Sequence, residues 1–236
     1  MNQFPRTSRY LVCALVALAS GVAAQEATLR RGDELFVESR LRMRQGHVGE
    51  LERGESAASW TRSVLAVHSV RGGEVVGVVT PLAAPVPQGP SADPTEQAAP
   101  APEPLPYRGR PTDLVWLSAP AVLGPLARDL RQGRLGERTV PLEVAGYPIE
   151  LGLTLSEASD PELEGGRALW VQGEGAALIG DTGITLRVRV RARLELAPSG
   201  ESSLDLRLSW TATGGDGDDA ESQVHLQTRV TKRGAQ

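Results

Sequence analysis

The chain is expected to fold as an all-β protein, an antiparallel sandwich or partly open barrel of about 8–10 strands with one short helix. Three observations predict this. From Ile184 to Leu196 every even-numbered residue is apolar, while the odd positions carry Thr185, Arg187, Arg189, Arg191, Arg193 and Glu195. That is the two-residue period of a strand with one face in a core and one in water. Leu204, Leu206, Leu208 and Trp210 repeat the even phase, and Val224, Leu226 and Val230 repeat it again. Pro198-Ser199-Gly200 supplies a turn between the first two of these runs, so three consecutive antiparallel strands follow.

Residues 1–24 read as a cleavable leader. Arg6 and Arg9 precede an apolar run from Tyr10 to Ala19, and Ser20-Gly21-Val22-Ala23-Ala24 offers the small residues a signal peptidase needs, with the cut after Ala24. The run is shorter than the roughly 20 residues of a membrane-spanning helix. The expected route is the general secretory one, to the periplasm, the cell surface or the medium. The only cysteine, Cys13, lies inside the leader, so the remaining chain is stabilised by packing and not by disulfides.

In residues 25–80, Leu35, Val37, Leu41 and Met43 alternate with Glu38, Arg40, Arg42 and Arg44 as in a half-buried strand. Ser63 to Val70 and Glu74 to Thr80 flank Arg71-Gly72-Gly73 and read as a hairpin. These strands either make a small module or join the main sheet, and the second is expected, because about 55 residues is little for a disulfide-free domain. Ten of the 17 prolines fall in residues 81–111, which therefore read as an extended linker or long loop.

Residues 112–236 carry the main β-rich region. Ser118 to Arg131 is the one helix expected, capped by Ser118 and ended by Gly133, with Leu123, Leu126 and Leu130 on one face. Val140, Leu142 and Val144 are even while Ile149, Leu151, Leu153 and Leu155 are odd, so a turn or bulge lies across Ala145-Gly146-Tyr147-Pro148. Gly173-Glu174-Gly175 sits within a strand pattern and marks a bulge or close sheet packing. Pairing Arg193 with Asp205 also sets Leu194 opposite Leu204, whereas Glu195 opposite Asp205 would face like charges, so the first register is expected.

Removing Arg6 and Arg9 takes the 25 basic residues to 23 against 29 acidic, a net charge of −6, which argues against nucleic acid as a partner. No enzyme motif is present. His47, His68 and His225 lack metal-ligand spacing, and neither a nucleophile elbow nor a phosphate loop occurs, so the expectation is a protein that is not an enzyme.

Two candidate sites remain. Asp216, Asp218, Asp219 and Glu221 cluster in Gly214-Gly215-Asp216-Gly217-Asp218-Asp219-Ala220-Glu221, four carboxylates suited to weak calcium binding or simply to a solvated hairpin tip. The first six residues resemble the calcium-binding Gly-Gly-x-Gly-x-Asp repeat of repeat-in-toxin proteins, although there is a single copy and Glu221 stands where those repeats place an apolar residue. Separately, Arg187, Arg189, Arg191 and Arg193 line one strand face, about 6–7 Å apart. They either meet an anionic envelope polymer or form an ordinary solvated face.

The functional expectation is an exported, non-catalytic binding or scaffold protein of the cell envelope or exterior. The alternatives are a periplasmic-type carrier of a lipid or other apolar ligand, held on the long aliphatic face, and a small outer-membrane β-barrel. Aromatic content of only 4% and the absence of aromatic girdles count against the last.

Overall fold

The alternation over residues 184–196 becomes an interior strand of one antiparallel sheet. The computed structural model describes residues 29–51, 54–82, 103–158, 166–180, 182–197, 199–214 and 219–233. The expected leader lies outside these. Among the described residues the strands are β1 (Glu34–His47), β2 (Glu55–Arg71), β3 (Glu74–Leu82), β4 (Leu105–Gly109), β5 (Gly136–Val144), β6 (Tyr147–Ala158), β7 (Arg167–Ile179), β8 (Ile184–Leu196), β9 (Ser202–Thr213) and β10 (Ala220–Lys232). Their order is β4-β3-β2-β1-β10-β9-β8-β7-β6-β5. β4 and β5 are the two edges, so the sheet is open and the fold is all-β.

Leu186, Val188, Val190, Ala192 and Leu194 of β8 are buried while Arg187, Arg189 and Arg191 are exposed, as alternation demands. β8 pairs with β9 in the register that sets Arg193 opposite Asp205 and Leu194 opposite Leu204. A one-residue slip would carry every one of these leucines and valines into water, which is why the apolar pattern selects this pairing. β1 lies beside β10, with Leu41 opposite Leu226 and Val37 opposite Val230, and thereby draws β1–β3 into the same sheet.

Turn chemistry matches the sheet's twist at two hairpins. Gly72 and Gly73 have φ of 58° and 80° between Arg71 and Glu74, and Ala145 and Gly146 have φ of 53° and 84° between Val144 and Tyr147. Both are two-residue loops with both residues left-handed, the geometry that suits twisted antiparallel strands. The phase change across residues 145–148 is thus a turn.

In place of the single helix expected from Ser118 to Arg131 the described residues form two short ones, and a third precedes them. These are α1 (Asp113–Trp116), α2 (Pro120–Leu123) and α3 (Ala127–Gln132). Pro125 between α2 and α3 has no N–H to continue the ladder. Ser118 does not cap α2; its hydroxyl hydrogen-bonds the Val115 carbonyl oxygen, and the N-cap position is Ala119. Gly133 does end α3, with φ of 63°. The proline-rich stretch also differs from a plain linker, because β3 runs through Pro81 to Leu82 and β4 contains Pro106. Pro81 lies beyond the part of β3 that β4 covers, and β4 is itself an edge, so each proline sits where a missing donor is tolerated.

The helices lie across the apolar face, α1 against β9 and β10 and α2 against β5. Trp116, Val122, Leu123, Leu126 and Leu130 join the β8 side chains in one core with Leu35 of β1, Leu65 of β2 and Val75 of β3. The sheet is therefore a half-open barrel with its own chain inside. A partly buried chain of hydroxyls ties the segment between α1 and α2 to the sheet: Ser118 Oγ lies 2.8 Å from Thr228 Oγ1, which lies 2.9 Å from Ser39 Oγ.

Candidate functional site

On the side of the sheet away from the helices, the strand registers align six outward-facing side chains across six strands. Trp170 of β7 stands opposite Arg193 of β8, Arg193 opposite Asp205 of β9, Asp205 opposite Gln227 of β10, Gln227 opposite Arg40 of β1, and Arg40 opposite Trp60 of β2. Five inter-strand steps of about 4.8 Å make this row roughly 24 Å long. It forms the floor of a groove of about 840 Å³. Five arginines, Arg40, Arg191, Arg193, Arg207 and Arg229, line that groove against three carboxylates, Glu38, Glu195 and Asp205. The groove is thus cationic in a chain of net charge −4. A smaller hollow of about 190 Å³ adjoins it, lined by Arg42, Arg44, Arg207, Gln223 and His225.

Guanidinium groups hold both tryptophans. Arg62 stacks over Trp60 at 4.1 Å from the ring centroid, and Arg191 and Arg193 lie 5.0 and 5.8 Å from that of Trp170. Trp60 remains 45% exposed, a large apolar ring kept at the end of a charged groove. At the centre, Asp205 receives hydrogen bonds from His225 Nε2 at 3.1 Å and Gln227 Nε2 at 3.1 Å, with Arg207 Nε at 3.7 Å. Partial burial would push this carboxyl up. The bonds from Gln227 and His225 and the nearby positive charge outweigh burial and hold it below the usual aspartate range. Asp205 is therefore an anion that orients its neighbours, and Arg193 turns its Nη2 to Glu195 at 3.0 Å.

The four arginines named from the sequence divide. Arg191 and Arg193 line the groove. Arg189 points to Glu174 at 3.6 Å with both side chains about three-quarters exposed, and Arg187 lies one further step along the strand, outside the groove. Sequence reasoning missed Arg40, Arg207, Arg229 and both tryptophans. The signal of the tryptophans was parity: Trp60 has the phase of Arg62, and Trp170 that of Gln172 and Glu174, where an aromatic side chain gains nothing from the core.

Of the calcium candidates, Asp216 and Asp218 lie outside the described residues. Asp219 Oδ1 accepts the Gly214 N–H at 3.3 Å and Glu221 Oε2 accepts the Gly49 N–H at 3.3 Å, so these two carboxylates clip backbone at the hairpin ends. Among the described residues no three metal-ligating side chains gather. The aliphatic face proposed for an apolar ligand is occupied by α1–α3, and the two hollows described above are lined mainly by the opposite, polar face. No protein-family model matches this chain, and no curated protein matches it.

Proposed function

We propose that this is an exported, non-catalytic binding protein that holds an anionic polymer along the arginine-lined groove of its outer face. The observation that carries the reading is the row from Trp170 to Trp60. Six strands set cationic, amide and aromatic groups in one line, on rigid elements and not on loops, which suits recognition of an extended ligand. Guanidinium groups suit the work because they present planar pairs of donors to carboxylates and phosphates and stay charged at any physiological pH.

The test is retention on immobilised polyanions, a polyuronate and a polyphosphate, as salt is raised. The protein is expected to bind at low ionic strength and to elute as added salt screens the groove. Arg191→Gln with Arg193→Gln should weaken binding about tenfold, while Arg187→Gln, outside the groove, should change it little. Failure to bind either polymer at low salt would end this reading.

A further inference from the structure

Resting on that reading, we infer that the ligand is an acidic glycan lying across the strands, with sugar rings against Trp60 and Trp170 at the two ends and acid groups on the arginines between. Acceptors interrupt the positive charge of the groove. Asp205 and Gln227 sit at the middle of the row, and Glu38 and Glu195 flank it. A polymer with a phosphate at every unit would meet these carboxylates as repulsion along its whole length. A glycan bearing carboxylates offers hydroxyl donors between its charges. Asp205, Glu195 and Glu38 already pair with His225 and Gln227, with Arg193 and Ser203, and with Arg62, and each keeps lone pairs to which those hydroxyls add, as does the Gln227 carbonyl oxygen, while the carboxylates of the glycan meet Arg40, Arg193 and Arg191. Alternating acceptors and guanidinium groups in one groove are thus complementary to alternating hydroxyls and carboxylates.

The tryptophans favour sugar rings at the two ends. Each stands at one end of the row, and stacked arginines restrain each ring. An indole ring is a flat apolar platform of large area and few rotors, so it contacts the apolar face of a sugar ring at small entropic cost. A single-stranded nucleic acid would call for aromatic platforms at successive bases, and no tryptophan, tyrosine or phenylalanine stands in the row between the two ends.

The probes are a short oligogalacturonate, its neutral methyl ester, a polyphosphate and a mixed-sequence single-stranded DNA, each titrated by calorimetry against the purified protein. The expected result is binding of the oligogalacturonate, with the ester at least about tenfold weaker. Trp60→Ala and Trp170→Ala should each weaken oligogalacturonate binding about tenfold and leave any polyphosphate binding unchanged. Trp60→Phe, which keeps a platform with less disturbance of the strand, should retain most of the affinity, and a melting curve checks that each variant is folded. Polyphosphate binding as tight as the uronate, insensitive to both tryptophan variants, overturns the glycan while leaving an anion-binding groove. DNA binding tighter than the uronate and sensitive to the tryptophans overturns it in favour of a nucleic acid. No binding of any probe overturns this inference together with the reading on which it rests.

Discussion

At the scale of single residues, a charge pair outside the groove joins Asp113 to Arg131. Asp113 is 4% exposed and takes Arg131 Nε at 2.9 Å and Nη2 at 2.8 Å, together with the Arg110 N–H at 3.0 Å. It therefore fixes the start of α1 to the end of α3. Asp113→Ala should lower unfolding free energy by about 1.5–3 kcal/mol, read by urea denaturation, because it leaves those donors without their acceptor. Ala145 offers the opposite case. As the one described non-glycine residue at positive φ it carries left-handed strain, and Ala145→Gly or Ala145→Asn should raise stability by about 1 kcal/mol in the same assay. Asp205 sets a pH response. Its folded pKa lies below its unfolded one, so the stability it adds is fully present above about pH 3.9 and is lost as pH falls through the lower folded value. Asp33 is held low despite burial by Lys232 and the Arg30 amide, and Asp129 is held low by Arg138, so they act in the same direction. A melting series below pH 5 should fall less steeply for Asp205→Asn than for the parent protein.

At the scale of elements, β7 is shaped by what it lacks. A Cβ on Gly173 would collide with the Gly152 carbonyl oxygen of β6, and one on Gly175 with that of Glu150. The two strands therefore approach more closely there than side chains permit, which lets the sheet bend around its core. Gly173→Ala is expected to cost about 1–3 kcal/mol by denaturant titration. Gly152→Ala is the matched control: its nearest neighbour, the Glu174 carbonyl oxygen, stands 3.9 Å away, at ordinary van der Waals distance. Both edges carry a proline, Pro106 in β4 and Pro141 in β5, which limits pairing with strands of other molecules. Leu123, Leu126 and Leu130 were visible as one apolar stripe, yet the break at Pro125 decided that they arrive as two short turns, α2 and α3, and not as one rod.

At the scale of the whole molecule, the open sheet depends on a contact between chain ends. β1 covers β10 along its length, so Leu226 and Val230 are buried by a strand more than 180 residues away in sequence. Equilibrium unfolding should therefore show one cooperative transition by both tryptophan fluorescence and far-ultraviolet dichroism. A chain beginning after β3 should lose it, because β10 would become an exposed apolar edge, and limited proteolysis should then cut within β10 and β9. The groove would be lost with it, since Arg40 and Trp60 come from β1 and β2.

The sequence alone determined that the chain is all-β, which faces of β1 and β8–β10 turn inward, and the Arg193–Asp205 register. Each of these follows from a two-residue period or from charges one turn apart, which are local quantities. The arginine row of β8 was legible for the same reason. Only the tertiary structure decided that β1 lies beside β10, that the helices fill the aliphatic face, and that Trp60 and Trp170 end one row. Strand order depends on which apolar faces bury one another best over long loops, and a single sequence carries no periodic mark of a partner more than 100 residues away. The groove therefore became readable only when six separate alternations were set side by side.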